Sequence, residues 1–301
     1  MIKHPRSKDI ALRLRPRHCS GAALVLAAVV LLSSGPVQAQ GLSDDAVWAD
    51  FIAWFKSADA PTGGNPPLGA YAAKLAKDGL SKEEAGRRIA LIVRLFGEKP
   101  EAIEAHYDRV FSRPATGDPR KDGFASAPSA FLIESVKARR PGEALDVGTG
   151  QGRNAVWLAT QGWAVTGMDV SGGGLAAARA NAAKAGVSIR TEKAAYDDFD
   201  FGTGRWDLIV IAFAWAPVSD PAFVSRIEKS LRPGGLVVFE HFIDNEAHPY
   251  APMVRALKPN ELRLFFSGLD IEFYEEADGI GDWGGPGSRL VRMIARKRGP
   301  F

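Results

Sequence analysis

Cysteine is nearly missing from this chain: Cys19 is the only one in 301 residues. A disulfide framework and a cysteine-based metal site are therefore excluded, and Cys19 lies ahead of the apolar run of the leader, where no lipoprotein acylation site matches. Histidine is scarce as well, at positions 4, 18, 106, 241 and 248. That spacing fits no metal-ligand set and offers no Ser/His/Asp triad. No apolar run reaches the about 20 residues of a spanning helix. Positive charge is lacking where it would matter for nucleic acid. The formal net charge is +3, but six basic side chains against Asp9 fall within the first 39 residues, leaving 32 basic and 34 acidic beyond them. No basic patch remains to recruit a phosphate backbone.

What the leader does have is a basic stretch, an apolar run from Gly21 to Leu32, and Val37-Gln38-Ala39 with small residues where signal peptidase needs them. This reads as a secretory signal over residues 1–39, cleaved after Ala39, in preference to an uncleaved anchor. Either outcome places residues 40–301 outside the cytoplasm, periplasmic or secreted, and a membrane is a partner only if the segment is retained.

With 46% apolar residues the rest can build a large core. Residues 40–125 read as a helical region and linker. Val47, Phe51, Trp54 and Phe55 share one helical face, Ser81 and Glu84 form a capping box ahead of the stripe Ile89, Ile92, Val93 and Phe96, and a third helix starts at Pro100. "ADAPTGGNPPLGA" reads as a loop. Over residues 126–301 apolar strands alternate with helices: strands at Ala144, Trp163–Met168, Val187, Trp206–Phe213 and Leu236–Phe239 imply a doubly wound parallel sheet. "LDIEFYEEA" and "SRLVRMIARK" add a terminal strand pair.

The first of these strands runs into "LDVGTGQGRNA". Glycine at a strand-to-helix turn lets backbone approach a ligand and aims N–H groups and the helix dipole at it. A dinucleotide fingerprint beginning at Gly148 would need its third glycine where Arg153 stands. The glycines are instead Gly148, Gly150 and Gly152, preceded by Asp146. Asp169 follows 17 residues beyond Gly152 at the end of the next strand, where a carboxylate can accept hydrogen bonds from both ribose hydroxyls. Separately, the glycines could make an ordinary tight turn and Asp169 could cap a helix. In register, the combination points to a nucleoside-containing ligand.

Together, "LDVGTGQGRNAVWLATQGWAVTGMDVS", "FDFGTGRWDLIV", "LRPGGLVVFE" and "KPNELRLFFSGLDIEFYEE" resemble class I S-adenosylmethionine-dependent methyltransferases, in particular the tellurite-resistance and thiopurine-related branch, over about residues 126–297. The resemblance implies a Rossmann-like doubly wound sheet with a terminal antiparallel pair, S-adenosylmethionine as cofactor and a small-molecule acceptor. It places Gly148, Gly150 and Gly152 around the amino-acid part of the cofactor, Asp169 on the ribose and Val170 against the adenine. One feature departs from the pattern: Ala195 stands where many relatives carry an adenine-contacting Asp, with Tyr196 next to it as a cofactor-side candidate, while Asp197 and Asp198 can equally be a solvated loop.

On the acceptor side, the residues beyond the C-terminal ends of the fourth and fifth strands are Trp215, Glu240, His241 and Phe242. Glu240 and His241 are the candidate bases, Trp215 and Phe242 candidate substrate contacts, and Tyr107 and Trp283 a candidate lid. Against this, Trp215 and Phe242 can be packing residues and His241 a strand-end histidine. A thiolate, selenium or tellurium acceptor needs no base, whereas a hydroxyl or amine does. The competing function is a catalytically weak nucleoside-binding or scaffold protein that retains the fold outside the cytoplasm.

Overall fold

The computed structural model describes residues 42–61, 67–96, 99–113, 116–122, 124–243, 257–282 and 288–299. The signal-like leader with Cys19, and Trp283 and His248, lie outside these residues. From Leu42 to Phe301 the chain forms one compact unit.

Four helices come first: α1 (Asp44–Lys56), α2 (Leu68–Lys77), α3 (Lys82–Phe96) and α4 (Pro100–Phe111). Helix α2 starts inside the segment expected to be a loop, because Tyr71 and Leu75, one turn apart, are buried on the face that meets α1. Their core is aromatic. Phe51 is fully buried against Phe55, Tyr71 and Phe96, and Trp48 donates its indole N–H to Glu101 at 2.8 Å. The tryptophans of α1 are thus packing residues. Arg109 of α4 donates to the carbonyls of Phe55 and Ala60 at 2.7 and 2.8 Å, tying α4 to the end of α1.

Short helices α5 (Pro119–Asp122) and α6 (Ala130–Val136) lead into a sheet of β1 (Glu143–Val147), β2 (Ala164–Asp169), β3 (Arg190–Lys193), β4 (Trp206–Ala212), β5 (Leu231–Phe242), β6 (Asp270–Gly279) and β7 (Ser288–Arg296). The strand order is β3-β2-β1-β4-β5-β7-β6, with β7 antiparallel to both of its neighbours. Helices α7 (Arg153–Thr160), α8 (Gly172–Lys184) and α9 (Pro221–Ser230) cross between parallel strands, and α10 (Leu262–Phe265) precedes β6. This is the doubly wound sheet with a terminal antiparallel pair.

Strand alternation divides the core. Ile209, Ile211, Val237 and Phe239 face α9 with Phe223 and Ile227, while Leu208, Val210, Leu236 and Val238 face α6 and α7 with Leu132 and Leu158. Both sets are buried, as the central strands of a parallel sheet require. Two boundaries differ from expectation. Strand β3 starts at Arg190 rather than Val187, since Ala185-Gly186-Val187 closes α8 and only four residues reach β2. Strand β5 starts at Leu231, because "LRPGG" is drawn into the sheet by an irregularity that pairs Leu231 with Trp206 and Leu236 with Leu208. No helix among the described residues is long and apolar enough to cross a membrane.

Candidate functional site

The turn between β1 and α7 lies beside the junction at which chain order reverses, β2 on one side of β1 and β4 on the other, the usual ligand crevice of such sheets. Gly148, Gly150 and Gly152 have φ of 68°, 52° and 81°, a region closed to most side chains. Their missing side chains do not leave open space for a ligand. A Cβ on Gly148 would come within 2.6 Å of Ala214 Cβ, on Gly150 within 2.7 Å of Phe111 Cζ, and on Gly152 within 2.8 Å of Ala178 Cβ. Nor are the N–H groups of Gly148, Thr149, Gly150 and Gly152 left open to a ligand. Those of Gly148 and Thr149 donate to the Met168 carbonyl, that of Gly152 to Thr149, and that of Gly150 to Asp169 Oδ2 at 2.8 Å.

Asp169 is the hinge of the arrangement. Its second oxygen accepts the Ser171 N–H at 2.8 Å, so the carboxylate holds both the glycine turn and the entry to α8, and burial pushes its pKa up. The carboxylate still has acceptor capacity for an outside donor beyond these backbone bonds. Ser171, not Asp169, caps α8, accepting from the Gly174 N–H at 2.9 Å. Val170 is half-buried beside it.

Asp146, counted with the glycines as a cofactor-side candidate, lies beneath the turn. It is 2% exposed, and its carboxylate accepts the Thr149 hydroxyl at 2.7 Å and a backbone bond from Ala155, so it shapes the turn from below. Burial pushes its pKa up to about 6. The folded state therefore holds this proton up to about pH 6, whereas the unfolded chain releases it near the ordinary value of 3.8, and stability falls as pH rises through that window. Asp146→Asn should remove this dependence: relative to wild type, the variant should gain stability between pH 4 and pH 7, as read from urea midpoints. Parallel pH profiles would show that Asp146 does not titrate in this window.

Helix α4 covers the turn, a relation absent from the sequence pattern. Phe111 lies over Gly150 and Gly174, stacked with Tyr107 at 5.9 Å, and Asp108 accepts the Ser171 hydroxyl at 2.6 Å and the Gly173 N–H at 3.0 Å. A carboxylate at a helix N-terminus also meets the positive end of its dipole. Glu104 pairs with Lys193 at 2.7 Å on the same side.

At the ends of β4 and β5, Trp215 meets the His241 ring edge-on at 4.4 Å, and Phe213 packs on Phe242 at 5.0 Å. Phe213 has φ 56°, a strained conformation for an aromatic residue, and Arg153 lies 5.7 Å from its ring. Arg153 is paired at 2.6 Å with Asp282, largely shielded from water, which fastens the chain after β6 to the start of α7. His241 is buried, with Nδ1 3.2 Å from the Phe242 carbonyl. Glu240 is 6% exposed, and both of its oxygens are engaged, Oε2 by the Ser129 hydroxyl at 2.6 Å and Oε1 by Arg292 Nε at 2.8 Å. Neither Phe213 nor the Arg153–Asp282 pair carries a local sequence signal. Among the described residues no group of His, Cys, Asp and Glu could hold a metal ion.

A bound nucleoside fits this geometry through Asp169, whose remaining acceptor capacity suits a vicinal diol, between the glycine turn and the half-buried Val170. Residues 144–235 match the methyltransferase domain family. The chain is 30% identical over 194 residues to hemagglutinin 1 of Eikenella corrodens, 60% of this chain and 62% of that protein. It is 30% identical over 174 residues to the release factor glutamine methyltransferase of Neisseria gonorrhoeae, covering 50% and 60%. It thus spans about three fifths of the length of these curated relatives. Among solved structures, one from work on the conversion of a disulfide bond into a thioacetal group during echinomycin biosynthesis superimposes with TM-score 0.52 at 22% identity, over 66% of this chain and 93% of its own. At that identity the likeness is one of fold. TehB from Haemophilus influenzae superimposes with TM-score 0.49 at 19% identity, over 65% and 67%. Residues 144–235 therefore form a methyltransferase domain on a class I methyltransferase sheet, and its cofactor is S-adenosylmethionine.

Proposed function

We propose that this protein transfers the methyl group of S-adenosylmethionine to a small-molecule acceptor whose attacking atom is soft and already anionic, such as a thiolate or a selenium or tellurium species. The cofactor supplies an activated methyl group on its sulfonium sulfur. Asp169 holds the ribose, and Phe111 and Tyr107 of α4 cover the turn and exclude water. Trp215, Phe242 and the strained Phe213 line the acceptor side and align the nucleophile, which is a positioning effect. The observation that carries the choice of acceptor is Glu240. The carboxylate nearest the β5 end is engaged at both oxygens by Ser129 and Arg292, so it is poorly placed to take a proton. The resemblance to the tellurite-resistance and thiopurine-related branch supports the same class. The basic stretch and apolar run of residues 1–39 support export as part of this reading.

The test begins with calorimetric titration of S-adenosylmethionine and its demethylated product. Turnover then follows with thiols, selenite, tellurite, phenols, amines and a glutamine amide, the last because one relative is named for that acceptor. Wild type should prefer the soft acceptors, and Glu240→Gln with His241→Asn should lose less than about 10-fold, since removing a true general base costs roughly 100- to 10,000-fold. Preference for an amine, amide or phenol with a loss beyond about 100-fold would overturn the soft-acceptor assignment. Absence of cofactor binding by wild type would overturn the enzyme reading and favour a scaffold that retains the fold.

A further inference from the structure

The resemblance implies that Ala195 stands where many relatives carry an adenine-contacting carboxylate, and the neighbouring Tyr196 reaches a different part of the site. Tyr196 leaves the end of β3 and runs across the sheet. Its hydroxyl lies 3.5 Å from the point where a Cβ of Gly148 would stand, a point itself 2.6 Å from Ala214 Cβ. The phenol therefore reaches the seam between the first glycine of the turn and the residue that follows β4. Its ring is held edge-on by Phe223 of α9 at 5.8 Å. The backbone that carries it is clamped by Arg226, whose guanidinium donates to the carbonyls of Tyr196 and Asp197 at 2.9 and 3.2 Å and to Asp197 Oδ1 at 3.0 Å. Arg226 is in turn fixed over the rings of Phe201 and Phe223. A side chain fixed this firmly has little rotamer freedom left to lose on binding a ligand.

The hydroxyl itself makes no hydrogen bond among the described residues, although the residue is half-buried and the N–H groups of Gly148, Thr149, Gly150 and Gly152 are all bonded within the protein. Burial and the nearby Asp169 charge both hold the phenol pKa above its ordinary value, so the group is a neutral O–H at physiological pH, able to donate and to accept. Asp169 faces it from β2, and the Gly148 backbone from the turn. A half-buried hydroxyl without a protein partner, next to the glycine turn and the Asp169 carboxylate, keeps both its donor and its acceptor capacity for a ligand that enters there.

We infer that the Tyr196 hydroxyl is a cofactor-binding group acting where the ribose joins the amino-acid part of S-adenosylmethionine, rather than a stand-in for the adenine contact missing at Ala195. This rests on the cofactor reading above. Adenine is then held without a carboxylate, against Val170 and the Ala194-Ala195 segment, and discrimination by this site falls on the amino-acid side of the cofactor.

Calorimetry separates this inference from the reading on which it rests. S-adenosylmethionine, S-adenosylhomocysteine and adenosine are titrated into wild type and Tyr196→Phe, with melting curves to establish that both are folded. Phenylalanine keeps the ring and its packing on Phe223 and removes only the hydroxyl. Loss of one such bond should weaken both sulfur-containing ligands about 10-fold and leave adenosine within about 2-fold. A second readout is the near-ultraviolet tyrosine difference spectrum on adding S-adenosylhomocysteine, present in wild type and lost in the variant. Equal affinities of wild type and variant for all three ligands would overturn the inference while leaving the cofactor reading intact. An equal loss for adenosine would also overturn it, by moving the contact to the nucleoside. Failure of wild type to bind either sulfur-containing ligand would overturn both.

Discussion

Replacing Asp169 with alanine is expected to weaken S-adenosylmethionine binding about 100-fold, or about 3 kcal/mol, while leaving the protein folded. Two losses combine. The ribose hydroxyls lose a charged acceptor, and the N–H groups of Gly150 and Ser171, both bonded to this carboxylate at 2.8 Å, lose theirs. The second loss loosens the turn and the start of α8 even before ligand arrives. Asp169→Asn should lie between wild type and alanine, because one amide oxygen can still accept from one of the two backbone donors. The measurement is titration calorimetry with the demethylated cofactor, alongside melting temperatures. An affinity unchanged in Asp169→Ala would remove Asp169 from the site, whatever else the protein does.

The other large effect concerns stability. Glu240→Ala should lower unfolding free energy by about 3 kcal/mol, the lower end of the range for breaking a buried charge pair, because Arg292 keeps 28% of its side chain exposed to water. The bond network links distant parts of the chain. Ser129, the cap of α6, donates to Glu240 on β5, Arg292 on β7 donates to the same carboxylate, and the Ser129 N–H is held by Asn154 of α7 at 2.9 Å. Urea unfolding measures the loss, and Glu240→Gln, which preserves size and one acceptor, should recover most of it. If Glu240→Ala left the urea midpoint where it is and abolished turnover, the carboxylate would be a base after all, and a hydroxyl or amine acceptor would return to consideration.

The linear order of residues was enough to determine the periodicity of this protein. Burial on both faces of β4 and β5 follows from contiguous apolar runs such as Leu208-Ile209-Val210-Ile211, and Ser81 starts α3 where local hydrogen bonding dictates, with Ser81 Oγ accepting the Glu84 N–H at 3.2 Å. The pairing of a glycine turn with Asp169 was legible for the same reason: both sit at strand ends whose spacing is fixed by one crossover helix. Only the tertiary structure decided what the glycines are for. Their positive φ values and the contacts of Ala214, Phe111 and Ala178 show that these positions exclude a side chain because protein packs there, and these three neighbours come from the segment after β4, from α4 and from α8 respectively. Equally, nothing local in "FEHF" distinguishes a catalytic carboxylate from one tied to Ser129 and Arg292, residues 111 and 52 positions away. Hydrogen-bond commitment and close packing are set by which elements the fold brings together, and a pattern of residue types along the chain carries no information about such distant partners.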